Sequence, residues 1–145
     1  MRKQLLISLG AAAFLISSPA LAKSLKWMDG PEGLPSGAKL AVVSGDPGKA
    51  APFTIQLKFP ADYAVPAHWH PSNEVVKVLS GKLHYGMSDK LDMAKAKTLT
   101  AGHTVTMKAK MNHWVHAPTA TTVQVSGTGP FQITYVDPKD DPRKK

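Results

Sequence analysis

Apolar and polar residues alternate with a period of two along much of this chain. Phe53, Ile55, Leu57 and Phe59 fall on one side of a short stretch, and Thr54, Gln56 and Lys58 fall on the other. Successive side chains of a β-strand point to opposite faces, so the pattern predicts a half-buried strand. Lys39–Ser44, Val75–Leu79, Leu83–Met87, Thr104–Met107, Thr121–Ser126 and Phe131–Val136 predict further strands. Turn signals separate them: Gly45 to Gly48, Pro60 with Asp62, Ser80-Gly81, Gly102, and Gly127 to Pro130. Ser88–Lys97 departs from the alternation. Ser88 is placed to cap a short helix running to Ala96, with Asp89 near its start. Many short strands with at most one short helix predict an all-β fold, an antiparallel sandwich or barrel.

The two ends read differently. Arg2 and Lys3 precede an apolar run from Leu5 to Ile16, and Ala20-Leu21-Ala22 closes it. A basic start, a short apolar run and small residues at the end make residues 1–22 a secretory signal peptide, cleaved after Ala22. The run is short for a bilayer span, which takes about 20 apolar residues. The expected product is secreted, to the periplasm of a Gram-negative cell, with no stable membrane insertion. Residues 23–37, rich in Pro and Gly, predict an irregular N-terminal arm; 38–136 make one domain, and 137–145 a loose charged tail.

Composition narrows the chemistry. The chain has no cysteine, so disulfides, thiolate ligands and thiol nucleophiles are all excluded. Any metal must be held by imidazole and carboxylate groups. The formal charge is +8, but it comes from scattered lysines, and the only arginines are Arg2 and Arg143. That is a solvated surface rather than a nucleic-acid groove. No G-x-S-x-G elbow and no phosphate-binding G-x-x-x-x-G-K-[ST] occurs.

The chemistry concentrates in HWHPSNE, residues 68–74. On a strand, His68 and His70 point to the same side and Trp69 to the other. Pro71, Ser72 and Asn73 suit a turn. On the strand that follows, Glu74, Val76 and Val78 share one face; Val75, Lys77 and Leu79 share the other. Two imidazoles and one carboxylate can thus converge inside the barrel. A buried carboxylate needs a partner, and a divalent cation is one. Downstream, His113 and Val115 share a strand face, while Trp114 and His116 share the opposite one. His84 reads as a surface or interface residue and His103 as a solvated turn residue. Trp69 and Trp114 read as packing residues. Tyr63 is a candidate phenol near the barrel mouth, and Lys108 and Lys110 are candidate attractors of an anion.

These residues resemble the cupin superfamily. Its first motif is Gly, five residues, H-x-H, three or four residues, Glu, six residues, Gly. Here His68, His70, Glu74 and Gly81 match, with Asp62 in place of the leading Gly. Its second motif is Gly, five residues, P-x-G, two residues, His, three residues, Asn. Gly102 and His113 match; Lys108, Lys110 and Ala117 stand where the Pro, the second Gly and the Asn belong. The ending GPFQITYVDPKDDPR is similar to that of small secreted bacterial cupins. The resemblance implies a jelly-roll β-barrel holding one divalent ion (Fe, Mn, Zn, Ni or Cu) on His68, His70, Glu74 and His113. It implies a small-molecule ligand or substrate and metal-dependent chemistry of a dioxygenase-like, isomerase or Lewis-acid kind. A non-catalytic sensor or scavenger built on the same ligands is the rival expectation. A homodimer through sheet edges is compatible with either.

Overall fold

The computed structural model describes residues 23–145; the expected signal peptide, residues 1–22, lies outside the described residues. Eleven strands form two antiparallel sheets: β1 (Trp27–Asp29), β2 (Lys39–Ser44), β3 (Pro52–Phe59), β4 (Tyr63–Trp69), β5 (Glu74–Ser80), β6 (Lys82–Gly86), β7 (Lys97–Thr100), β8 (Thr104–Met107), β9 (His113–Ala117), β10 (Thr121–Thr128) and β11 (Thr134–Tyr135). One sheet has the order β1-β2-β3-β10-β5-β8 and the other β11-β4-β9-β6-β7. The fold is a jelly-roll β-barrel.

Alternation builds its interior. Phe53, Ile55, Leu57 and Phe59 of β3 are buried, as are Val123 and Val125 of β10 beside them. On β5, Glu74, Val76 and Val78 face inward, while Val75, Lys77 and Leu79 face solvent, as their spacing predicts. Strand β4 obeys a different rule. Val65 pairs with Val115 and His68 with His113, so three steps on β4 match two on β9. That extra residue is a β-bulge next to Pro66, a residue tolerated at bulges because it has no N–H to donate. Val65 and His68 both face the interior because of it.

Five expectations need correction. No helix follows Ser88: its hydroxyl donates to the Lys90 carbonyl at 2.9 Å and accepts from Trp114 Nε1 at 3.0 Å, so it cannot cap one. The segment holds a single 3-10 turn, Met93–Lys95, capped instead by Asp92, and covers the fully buried Trp114. The N-terminal arm is not wholly irregular. It contributes β1, which pairs with β2, and it buries Leu34 in the barrel. Tyr135 Oη donates to the Gly33 carbonyl at 2.7 Å and Tyr63 Oη to the Pro35 carbonyl, clamping Leu34 from both sides. Tyr63 is therefore a buried clamp rather than a phenol at the mouth. Finally, the tail is folded. Asp141 is buried and grips Arg143 through two hydrogen bonds, Nε to Oδ1 at 2.8 Å and Nη2 to Oδ2 at 2.9 Å. Arg143 Nη2 also donates to the Ile133 carbonyl at 2.9 Å. Phe131–Ile133 is not strand, because carbonyls there are bonded to side chains: Gln132 O to His70 and Ile133 O to Arg143.

Four left-handed residues bracket the strands that carry the site. Gly81 and Gly102 have φ of 83° and 89°; Asp62 and Lys110 have φ of 59° and 61°. Asp62 and Lys110 are the positions where a non-glycine replaces a motif glycine, so the backbone keeps its turn although the residue changed. Lys110 also donates its N–H to the His70 carbonyl at 2.8 Å, which helps hold it there. A non-glycine in this region is strained by about 1 kcal/mol. Lys110→Gly is therefore expected to raise unfolding stability by up to about 1 kcal/mol in urea titration, and Lys110→Val to lower it.

The tail gives a pH prediction. The Arg143 hydrogen bonds hold the Asp141 carboxyl below the usual carboxylate range, although burial opposes this. A depressed carboxyl contributes stability above its unfolded value, about 3.9, and loses it as pH falls through the lower folded value. Trypsin cleavage at Arg143 is expected to stay slow at neutral pH and to become fast in Asp141→Asn at every pH.

Candidate metal centre

Each side chain of the site is placed by a local device. His68 is turned inward by the bulge in β4. His70 follows one residue beyond that strand, and Glu74 opens β5 after the turn at residues 71–73. His113 opens β9, opposite His68 in the sheet. All four are buried. The structure brings together every residue that the spacing singled out.

Imidazoles define the centre. His68, His70 and His113 each offer a ring nitrogen, and these atoms lie within 4.8 Å of one another. Ring centroids are 4.9 Å apart for His68 and His70 and 4.3 Å apart for His68 and His113. The Glu74 carboxylate joins them: Oε2 is 2.8 Å from His70 Nε2 and 3.8 Å from His113 Nε2.

The other ring nitrogens are all engaged. His68 Nδ1 lies 2.6 Å from the Pro66 carbonyl, His70 Nδ1 2.6 Å from the Gln132 carbonyl, and His113 Nδ1 3.1 Å from the Met111 carbonyl. A carbonyl oxygen only accepts, so each Nδ1 carries its proton and donates it. Each Nε2 is then the position left for a partner at the centre, and that of His70 already meets Glu74 Oε2 at 2.8 Å. Such outer hydrogen bonds fix the tautomer and orientation of a ligating histidine.

Electrostatics separate the three rings. Burial pushes His68 well below the ordinary histidine value, and the neighbouring His113 and His70 add to it. Burial also lowers His113, against a smaller upward pull from the Met111 carbonyl. At His70 burial pulls down too, but the hydrogen bond and charge of Glu74, with the Gln132 carbonyl, outweigh it, and its pKa rises. A proton between His70 and Glu74 thus offsets the buried carboxylate, as a cation between the same groups would.

A cavity of about 40 Å³ adjoins these groups. Leu34 from the arm and Phe131 from the segment before β11 complete its wall, and the Phe131 ring stacks on His70 at 5.4 Å. Neither residue was legible as part of the site: Leu34 lies in a segment with no strand alternation, and Phe131, although it opens a predicted strand, has no side-chain chemistry that marks it. The carbonyls of Pro66, Gln132 and Met111 were also missed, because a backbone oxygen has no signature in sequence.

The remaining candidates lie elsewhere. His116 faces outward, its ring stacked on His84 at 5.9 Å and its Nε2 4.0 Å from Asp62 Oδ1. His103 Nδ1 bonds with Thr100 Oγ1 in an exposed turn. Trp114 is fully buried outside the cavity wall, with its Nε1 donating to Ser88 Oγ, and a Cβ on Gly86 would run into its ring. Lys108 and Lys110 are exposed, outside the cavity wall. Among the described residues, no helix is long and apolar enough to cross a membrane.

Comparisons with known proteins agree with the architecture. Residues 57–126 match the family model of the cupin domain, a span that contains all four residues of the centre. A search of curated proteins finds no match. Similar solved structures include a candidate acetylacetone dioxygenase from Methylibium petroleiphilum, with TM-score 0.64 and 19% identity over 91% of this chain and 89% of that one. The polyketide cyclase RemF from Streptomyces resistomycificus has TM-score 0.60 and 14% identity, over 74% and 76%. An RmlC-like cupin from Shewanella frigidimarina has TM-score 0.58 and 17% identity, over 75% and 87%. At these identities the likeness bears on the fold alone. The domain match, the two-sheet barrel and the cupin structures of like fold together support placing this chain in the cupin superfamily.

Proposed function

We propose that this protein holds one divalent ion of iron, manganese, nickel, zinc or copper on His68, His70, His113 and Glu74, and acts with it on a small molecule. The reading favoured here is a metal-dependent enzyme of dioxygenase-like or Lewis-acid type, exported to the periplasm by the leader expected in residues 1–22. The commitment of all three Nδ1–H groups to backbone carbonyls carries the proposal. Three buried imidazoles whose ring nitrogens converge, with one carboxylate, fit a divalent ion in charge and in donor type once the proton between His70 and Glu74 is released. Bound there, such an ion supplies Lewis acidity toward a ligand oxygen or, if redox-active, the means to use dioxygen.

The chain's own part is orientation and exclusion. The Pro66, Gln132 and Met111 carbonyls hold the rings; Glu74 places the one anionic group of the cavity wall against two of them. The apolar wall keeps bulk water away and so strengthens the electrostatic interactions within. A second reading has support of its own: the wall carries no acid or base beyond these four residues. A sensor or scavenger needs none, whereas most hydrolytic or proton-transfer chemistry does.

Elemental analysis of the protein after reconstitution is expected to give one equivalent of metal. His70→Ala and His113→Ala are expected to weaken binding by at least about 100-fold, with His116→Ala unchanged. Occupancy below about a tenth of an equivalent would sink the proposal, since an intact site binds far tighter than that. Oxygen uptake by the iron-loaded protein separates the two readings. Turnover of any member of a panel of catechols, small acids and acetylacetone establishes the enzyme; metal binding with no turnover for any ion establishes the binding module.

A further inference from the structure

The cavity wall specifies which molecules can share the centre. Fifteen residues line it, and the only polar ones are His68, His70, His113 and Glu74. All four are turned toward the ion position and are used there. No lysine, arginine, hydroxyl or amide side chain is left to meet a second charged or polar group of a ligand. Lys108 and Lys110, the cations nearest in sequence, point to solvent. Any ligand atom not touching the ion must therefore be at home against Leu, Val, Phe and Met.

Size is restricted as well. The cavity of about 40 Å³ has room for about three waters, each needing roughly 10–15 Å³ on this measure. A hydrocarbon body of a few carbons fits; a sugar ring or a long chain does not. Two apolar residues of the wall lie outside the strands, Leu34 and Phe131. Phe131 stacks on the His70 ring, whereas Leu34 enters from the N-terminal arm, clamped by the Tyr135 and Tyr63 hydroxyls on the carbonyls at either side of it. Leu34 is therefore the one whose shortening opens space without disturbing either a strand or a residue of the centre.

Resting on the metal reading above, we propose that the ligand class of this centre is a compact chelator: one head with two oxygens on a short, uncharged hydrocarbon body, of which a β-diketone is the type. Dicarboxylates, sugar acids and phosphorylated compounds are excluded. A chelated dianion adds to the Glu74 charge and leaves a net negative charge that no wall residue offsets. Sugar acids and phosphates also bring polar groups with no partner, whereas a β-diketone binds as a monoanion after losing one proton to solvent. Leu34 sets the length limit of the body. The basic net charge of the chain does not enter the cavity and does not select the ligand.

The test uses the full chain loaded with Co²⁺, whose absorption bands report changes in coordination without any turnover. Acetylacetone, 2,4-nonanedione, oxalate and malonate are titrated in. Acetylacetone is expected to shift the bands at a concentration about 100-fold below malonate, in line with an unpaired buried charge. Oxalate is expected to give no shifted spectrum, only loss of cobalt from the protein. The longer diketone is expected to shift the bands in Leu34→Ala but not in the unaltered chain. A matching gain for Val123→Ala, on strand β10, would show a general widening and overturn the role given to Leu34. A band shift by malonate or oxalate at or below the acetylacetone concentration overturns the ligand class while leaving the metal reading intact. Failure to take up cobalt at all overturns both.

Discussion

A carboxylate buried in an apolar barrel is the constraint on which this structure turns. Glu74 opens β5 on its inward face, so its charge sits beside Val76 and Val78 rather than in water. Burying such a charge alone costs several kcal/mol. Within the wall, only the three imidazoles can answer it, and they can do so in two ways. One is a proton held between His70 and Glu74, which is why burial fails to lower the His70 pKa. The other is a cation shared by the whole set. The two would exclude each other, because they would occupy the same space between His70 and Glu74.

The backbone serves that problem at some expense. The bulge at Pro66 rotates His68 inward where plain alternation from Val65 would turn it out. The same bulge brings the Pro66 carbonyl to His68 Nδ1. Left-handed turns at Asp62 and Lys110 keep β4 and β9 aimed although neither residue favours that conformation. Lys110 has a compensating contact, its N–H on the His70 carbonyl, so the turn before one ligand is tied to the backbone of another. The motif spacing thus encodes turn geometry as much as ligand identity. The side chain at a motif glycine can change if the turn is held by other means.

How much of this was legible follows from which rules were local. Strands β3 and β5 could be read to within one residue at each end, because period-two alternation is a property of consecutive positions. The four polar residues of the centre could be read too, from H-x-H pleating, the turn at 71–73, and the face shared by His113 and Val115. The helix expected after Ser88 failed because the hydroxyl is claimed by Trp114, distant in sequence. The tail looked loose because its composition is charged, yet its order comes from Arg143 reaching a carbonyl of the segment before β11. Leu34 and Phe131 escaped notice for a related reason. Leu34 enters the cavity wall from a segment with no repeating pattern and Phe131 from one whose expected strand forms only at Thr134–Tyr135, so only the closed barrel shows what either faces.

The division of labour at the centre also explains why reaction type is so weakly written in the chain. The polar residues form a group that could hold an ion, and their backbone partners orient its donors. They are the part with a strong sequence signature, and they suit several metals and several reactions alike. What distinguishes one ligand from another is the remaining wall, which here is wholly apolar. An apolar wall discriminates by volume and by the absence of partners, at one to three kcal/mol per methylene and more for a stranded charge (roughly, from transfer and burial energies). It therefore selects by exclusion rather than by contact. Substituting one hydrophobic residue for another in that wall leaves the fold and the motif untouched while changing which molecules reach the ion.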